Sequence, residues 1–417
     1  MESNRCLFIG HDGQNQIGGV HTWLGSLMPR LRDRGLNVSV ALFLRPGEGL
    51  LTPQLRESNI RTFTHSHFGP FSDRIRWLSR VIEQTGTRVV VPNYILAGFA
   101  AAARFRKLGV RTVAVMHSDD PLYRALIQCR QKSDPAVHFD HAVPVSCFLE
   151  KLVQDSLGRE FPNTRIPCGI ELGKGEVSKP SGQFRLVYVG RIAQEQKRIC
   201  DVVAAFCRVI REIPGVTADI IGSGPDLRAA EDVLIANGSP KEVRLLGELR
   251  PKDVQKRLPQ YHAIVLLSDY EGLPVAILEA MAVGLVPVCT PARSGINELV
   301  IDRHTGLIVE NREESFVSAI RELSQNLTLW RSLSTQAREQ VLTFDAESCA
   351  GKWAGVLNQT ATMKVSATSI SKLGSQPVPR WLPEFDWDMQ RKPSRLKISL
   401  ANLRVRLGRY RRAIFPA

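Results

Sequence analysis

The chain has 417 residues, 43% hydrophobic, 23% charged and 7% aromatic, which suits two globular domains with an extension and excludes wholesale disorder, collagen and coiled coil. Lys and Arg number 55 against 41 Asp and Glu, a net +14, and Thr360 to Ala417 alone holds twelve basic and three acidic residues, a net +9. The remaining +5 over the first 359 residues makes a body only mildly basic, so a nucleic-acid-binding core is not the leading reading.

No basic-then-apolar leader opens the sequence, and no segment reaches the ~18 uninterrupted apolar residues of a spanning helix. The eight cysteines form no Cys-x-x-Cys pair and no metal-ligand spacing, and are expected as reduced core residues of a cytoplasmic protein. No tandem repeat is present at solenoid periods.

Strand-like runs lie at Cys6–Ile9, Val38–Leu44, Val89–Val91, Thr112–Met116 and Ala142–Val145, and the pattern restarts at Arg185–Val189, Thr217–Ile221, Val243–Leu246, Ala263–Leu267 and Val286–Cys289. Helical periodicity separates them, as in Thr22–Arg34, Cys200–Ile213 and Pro274–Val283. Continuous apolar strands alternating with helices predict an α/β fold of two doubly wound, Rossmann-like domains facing a cleft, with ligands at the carboxyl ends of the strands. The Gly-, Pro- and Ser-rich stretch between Ile166 and Phe184 reads as the connection. The expected units are 1–170, 171–345, a helix over 346–359 returning to the first domain, and a linker with a basic tail over 360–417.

Chemistry is expected where strands end. Gly18 and Gly19 precede a helix, where bare backbone N–H groups approach an anion. His117, after the strand ending at Met116, can exchange a proton near a substrate. Gly190-Arg191, with Lys197 six residues on, offers a planar fork and a point charge to a diphosphate; two solvated surface cations are the plain alternative. Gly222-Ser223-Gly224-Pro225 forms a tight turn. Ser268-Asp269-Tyr270-Glu271-Gly272-Leu273-Pro274 leads into an apolar helix carrying Glu279, a carboxylate that needs a partner in such surroundings and can accept from vicinal hydroxyls.

In this order the pieces resemble the family-4 retaining glycosyltransferases of the GT-B fold. The resemblance spans about Cys6 to Leu357 and rests on Gly18-Gly19-Val20, His117, Val145-Ser146, Ile166-Pro167-Cys168-Gly169-Ile170, Gly190-Arg191 with Lys197, Gly222-Ser223-Gly224-Pro225, Glu271-x7-Glu279, Ser294 to Leu299 and His304-Thr305-Gly306. It implies that Glu279 binds the donor ribose, and that Arg191 and Lys197 hold the diphosphate. It further implies that Glu271, Gly272, Leu273 and Pro274 touch the donor sugar, that Gly18, Gly19, Gly190, Gly222 and Gly224 approach the donor, and that His117 lies by the reacting sugar. Catalytic roles fall on His117, Glu271, Arg191 and Lys197. The donor is expected to be a UDP- or GDP-sugar, with no cofactor and no metal, and the acceptor a glycan or lipid-linked hydroxyl. A nucleotide-sugar epimerase or a non-catalytic nucleotide-sugar-binding protein are the competing readings. Three positions depart from the family pattern: Arg198 and Cys168, where many members carry Gly and Asn, and His21, where many carry Glu.

In the tail, nine basic and no acidic residues lie between Arg391 and Arg412, and Leu396, Leu400, Leu403, Leu407, Tyr410 and Ile414 recur at helical spacing. That amphipathic, basic pattern over 391–414 is expected either to dock on an anionic membrane surface or to pack on the enzyme.

Overall fold

Apolar, β-branched runs form strands that pair only in parallel, and the helices between them cover both faces. The computed structural model describes residues 4–13, 18–45, 49–133, 137–172, 180–292 and 295–363. The first sheet contains β1 (Arg5–Asp12), β2 (Asn37–Leu44), β3 (Arg61–Ser66), β4 (Val89–Val91), β5 (Arg111–Met116) and β6 (His141–Pro144), in the order β3-β2-β1-β4-β5-β6. The second contains β7 (Phe184–Val189), β8 (Val216–Ile221), β9 (Val243–Gly247), β10 (Ala263–Leu266), β11 (Val286–Cys289) and β12 (Leu307–Ile308), in the order β12-β11-β10-β7-β8-β9. In β1, Cys6 lies opposite Val38 on one side and Val89 on the other; in β10, Ala263 lies opposite Val286 and Leu186.

Counted from its own first strand, each sheet has the same order. Each therefore reverses direction once, between β1 and β4 and between β7 and β10, and such reversals open crevices at the carboxyl ends of the strands. The predicted two-sheet α/β architecture is the one observed. Two strands were not anticipated. β3 reads Arg-Thr-Phe-Thr-His-Ser on a partly exposed edge, without a continuous apolar run, and β12 is only two residues long. The strand before His117 is thus the fifth rather than the fourth. The first helix begins at Gly19, three residues earlier than its apolar period suggests, and Pro274 caps the helix Val275–Ala282 instead of opening it.

The helix Ala346–Thr362 crosses back from the second sheet to the first. Its Trp353 is buried with ring centroids 6.0 Å from Phe8 and 5.6 Å from Trp23. The two chain crossings run side by side: Ile170 N–H donates to the Phe344 carbonyl and Ala346 N–H to the Ile170 carbonyl, each at 2.9 Å. A second seam joins the halves where the Glu298 carboxylate accepts from Cys147 N–H (2.5 Å) at the start of the helix Cys147–Leu157. Just past the helix Ala346–Thr362, the Met363 carbonyl accepts from Arg111 at the start of β5, from Nε (3.0 Å) and Nη2 (2.7 Å). The basic tail, including the amphipathic pattern over 391–414, lies outside the described residues. Among the described residues no helix is long and apolar enough to cross a membrane. All eight cysteines are free thiols; six are buried, whereas Cys147 is exposed and Cys200 half-buried.

Candidate active site

One cleft of about 580 Å³ opens between the two reversals. The second half lines it with Val189 and Gly190 at the end of β7, with Ile221, Gly222 and Ser223 at the end of β8, and with Glu248, Leu249, Pro251 and Val254 after β9. Val275, Ala276 and Glu279 of the helix Val275–Ala282 complete that wall, and Gly18, Gly19 and Thr22 close the cleft from the first half. Gly222 has φ +151°, and a Cβ there would run into the Gly190 carbonyl oxygen, so the β7 and β8 turns pack backbone against backbone only with glycine in place.

Two helix starts meet across this cleft. The helix Gly19–Asp33 follows an extended Gly18, the helix Val275–Ala282 follows an extended Pro274, and among the described residues neither start has a side-chain cap. A Cβ on Gly19 would lie 3.2 Å from Val275 Cγ2, which shows how closely the two ends approach. First-turn N–H groups lacking intrahelical partners, with two positive dipole ends behind them, make this a place for an anion.

Cationic groups stand at the β7 edge. Lys197 Nζ donates to Glu271 Oε1 at 2.5 Å, and both side chains are largely buried. The ion pair holds a compact charge where the loop after β10 meets the short helix Gln194–Lys197. Arg191 is exposed and donates from Nη2 to Gln196 Oε1 (2.9 Å), while Gln196 Nε2 donates to the Tyr270 carbonyl (2.9 Å). The Tyr188 hydroxyl donates to the Arg191 carbonyl (2.8 Å), fixing the backbone from which the guanidinium projects. Gln196 thus ties Arg191 to the Glu271 loop. Its role was invisible in the sequence, although its position between Arg191 and Lys197 marks it in retrospect.

Glu279 lies on the cleft wall among Ile277, Leu278, Ala280 and Met281, all buried. Burial pushes its carboxyl up to about 7, against a hydrogen bond from Gln255, and Glu171 adds to the rise. The group is therefore poised to ionise fully once donors approach it, as the vicinal hydroxyls of a ribose would.

His117 sits behind the Glu271–Pro274 loop. A Cβ on Gly272 would collide with the His117 carbonyl oxygen, so the loop rests directly on the end of β5. Burial pushes the His117 imidazole down to about 3, leaving it neutral near pH 7. Asn93, fully buried, donates from Nδ2 to the Ile9 carbonyl (2.7 Å), which leaves its Oδ1 facing His117 Nε2 at 3.2 Å. That assignment makes Nε2 the protonated nitrogen and Nδ1 the acceptor. Trp23 packs edge-on against the ring at 5.0 Å. Neither Asn93 nor Trp23 stood out in the sequence, since a buried polar side chain at a strand end declares its partner only in three dimensions.

Of the predicted site residues, Gly18, Gly19, Gly190, Gly222 and Glu279 line one cleft. Lys197, Glu271, Gly272, Leu273 and Pro274 form the adjoining loop system, Arg191 projects just beyond Gly190, and Gly224 packs on the Ile192 backbone behind the turn. His117 is joined to the set through Gly272 rather than through the cleft wall. The departures have physical readings. Arg198 adopts φ +55°, the left-handed conformation that favours glycine, and pairs with Asp201 at 2.7 Å. Burial pushes His21 down to about 4 and the Cys168 thiol up to about 12. Among the described residues no group of three His, Cys, Asp or Glu is arranged to hold a metal ion.

Comparison with known proteins bears on this geometry. Residues 17–174 match the profile described as Glycosyltransferase Family 4, and residues 183–326 match Glycosyl transferases group 1, so each match falls on one sheet. The chain belongs to the group-1, family-4 glycosyltransferases. This glycosyltransferase is 28% identical over 299 residues to the amylovoran biosynthesis glycosyltransferase AmsK of Erwinia amylovora, covering 66% of the present chain and 72% of that one. It is 30% identical over 201 residues to glycogen synthase of Mycobacterium tuberculosis, covering 48% of this chain and 46% of that one. Among solved structures, the pneumococcal O-GlcNAc transferase GtfA superposes with a TM-score of 0.71 at 12% identity, over 87% of this chain and all of that one. The sucrose-phosphate synthase of Thermosynechococcus elongatus superposes with 0.70 at 18% identity, over 85% and 98%. These likenesses establish the GT-B fold. The family is one of retaining hexosyltransferases that use nucleotide-sugar donors.

Proposed function

We propose that this glycosyltransferase moves a hexose from a nucleoside-diphosphate sugar to a hydroxyl of a glycan or lipid-linked acceptor, with retention of anomeric configuration. The observation that carries the reading is the meeting of two helix starts, without side-chain caps among the described residues, across a cleft lined by Glu279 and Gly190, with Arg191 and Lys197 in the adjoining loops. A diphosphate has the charge for the helix ends and the cations, and a ribose has the diol for Glu279.

In this reading the second half binds the donor and the first half the acceptor. Lys197, held by Glu271, and Arg191, held by Gln196, neutralise the charge that grows on the leaving nucleotide. Glu271 and the backbone of Gly272, Leu273 and Pro274 orient the sugar. The acceptor hydroxyl attacks the anomeric carbon on the face the nucleotide leaves, and a diphosphate oxygen takes its proton. Neutral His117 cannot serve as a proton donor of imidazolium type near pH 7; it contacts the sugar as a hydrogen-bonding ring. Glycan assembly suits the likeness to AmsK, and lipid-linked acceptors suit the basic tail over 391–414, which would hold the enzyme to the cytoplasmic face of an anionic membrane.

Proton NMR of the product from a nucleotide sugar and acceptor tests the reaction: a retained anomer is expected, and an inverted one overturns the mechanism. Conversion of donor without acceptor would point to an epimerase instead. Co-sedimentation with anionic vesicles, with and without residues 381–417, tests the tail; equal binding by both forms would overturn its role.

A further inference from the structure

The amino-terminal edge of the first sheet, at the end opposite the cleft, is basic. Arg5 opens β1 and Arg88 directly precedes β4, and Arg88 N–H donates to the Arg5 carbonyl (2.8 Å). Neighbouring strands lie about 4.8 Å apart, so these two like charges start side by side. The Arg88 guanidinium lies against Gly109, which ends the short helix Arg106–Leu108; Lys107 in that helix is exposed, and Leu108 is 72% exposed. Among the described residues no ion pair engages Arg5, Arg88 or Lys107. The nearby Asp140 is already taken by Arg106 (2.8 Å) and His138 (3.4 Å). The described chain also ends here. Asn4 Nδ2 donates to Asn358 Oδ1 (2.7 Å) on the helix Ala346–Thr362, and Arg111 at the start of β5 holds the Met363 carbonyl.

The sequence that follows supplies the opposite charge. All three acidic residues after Thr360 fall in Trp381-Leu382-Pro383-Glu384-Phe385-Asp386-Trp387-Asp388, outside the described residues. Glu384, Asp386 and Asp388 alternate with Phe385 and Trp387, so an extended chain of this sequence presents three carboxylates on one side, about 6.6 Å apart, and rings on the other. Seventeen residues, Lys364 to Arg380, join it to Met363, with a root-mean-square reach of about 23 Å. We propose that Trp381–Asp388 docks back on this edge, its carboxylates on Arg5, Arg88 and Lys107 and its rings on Leu108. Arginine and carboxylate pair through a planar fork, and a short tether holds the local concentration near the millimolar range, so individually weak pairs suffice. The segment then acts as a clasp. It fixes where the basic stretch over 391–414 leaves the body, and like charge keeps that stretch off the same edge.

Limited chymotrypsin digestion of the full-length chain tests this, with cleavage after Trp381 followed by mass spectrometry and each rate divided by that of a synthetic peptide 376–392 of matching sequence. Wild type should be cut about tenfold or more slowly than its peptide, since cleavage follows the released population. Arg5→Glu with Arg88→Glu should remove most of that protection, and so should Glu384→Lys with Asp386→Lys and Asp388→Lys. Combining the two sets should restore protection relative to the tail variant alone, a rescue that general loosening of the body would not produce. Thermal unfolding verifies that each variant is folded; if the Arg5 and Arg88 variant is not, the tail variant, altered only outside the described residues, decides by itself. Wild type cut as fast as its peptide, or protection indifferent to the charge changes, would overturn the clasp. If, in addition, the Arg5 and Arg88 variant sedimented less with phosphatidylglycerol vesicles, the edge would be a lipid-binding surface instead.

Discussion

The two sheets share one strand order and yet finish their strands in opposite chemistries. At the carboxyl ends of the second sheet stand groups that carry or attract charge: Arg191, Lys197, Glu271, Glu279 and a helix start. The corresponding ends of the first sheet carry rings and an amide, with His11 as the penultimate residue of β1, Asn93 after β4, His117 after β5, and Trp23 and His21 on the helix that follows β1. Burial keeps His117 and His21 neutral, and Asp12, the one carboxylate at the end of β1, is occupied by Thr52 N–H (2.7 Å) and hydroxyl at the start of the helix Leu51–Glu57. The second half thus brings the cations, while the first half adds the helix start at Gly19 and neutral imidazoles. Strand order sets where a ligand lies, and the residues just beyond each strand set what it is.

The comparison can be broken at its charged end first. Lys197→Ala should lower kcat by about 10²- to 10³-fold, the scale of losing one preorganised group that stabilises developing charge, read by initial rates at saturating donor. A loss confined to KM would make Lys197 a binding group only. Glu279→Ala should weaken donor nucleotide by about 2–4 kcal/mol, the scale of a lost set of charged hydrogen bonds, measured by calorimetry. Unchanged binding would remove Glu279 from the ribose site.

Acid–base behaviour sharpens the contrast. Glu279 keeps its proton in the fold up to about pH 7, whereas in the unfolded chain it releases it above about 4.5. The unliganded enzyme should therefore lose stability as pH rises between those values, and Glu279→Gln should flatten that slope in thermal unfolding. His117 acts in the other direction: its folded pKa of about 3 lies below the ordinary 6.5, so the stability it supports is present above 6.5 and is lost as pH falls toward 3. His117→Gln should unfold less readily on acidification, and an imidazole titrating near 6.5 by NMR in the folded protein would contradict its burial. The smallest effect is expected at Arg198. Replacing it with Gly relieves a left-handed φ but loses the Asp201 pair, which is partly exposed. A net gain of about 1 kcal/mol or less should appear in denaturant melts.

Legibility followed the same divide. The second half was readable because its groups arrive in short contiguous motifs: Glu271 and Glu279 flank one loop–helix junction, and Arg191 precedes and Lys197 ends one short helix. Its central strands are continuous buried runs, as in Ala263–Leu266 and Val286–Cys289. The first half was less readable. The edge strand β3 mixes Thr with charged and aromatic residues and shows no apolar run, so it was missed. The environment of His117 comes from Trp23 on a helix, Asn93 after another strand and Gly272 in the other half, three places that sequence spacing cannot bring together. The left-handed turn at Arg198 was hidden for a related reason: arginine gives no warning of a conformation usually signalled by glycine.

The paired crossings at Ile170 and Ala346 set the mechanics of the whole molecule. Two strands of chain stitched together at one edge behave as a single pivot, resisting sliding and separation while permitting a swing. The Glu298–Cys147 seam and the Gly272–His117 contact lie away from that line, so a rotation of one half against the other would have to break them.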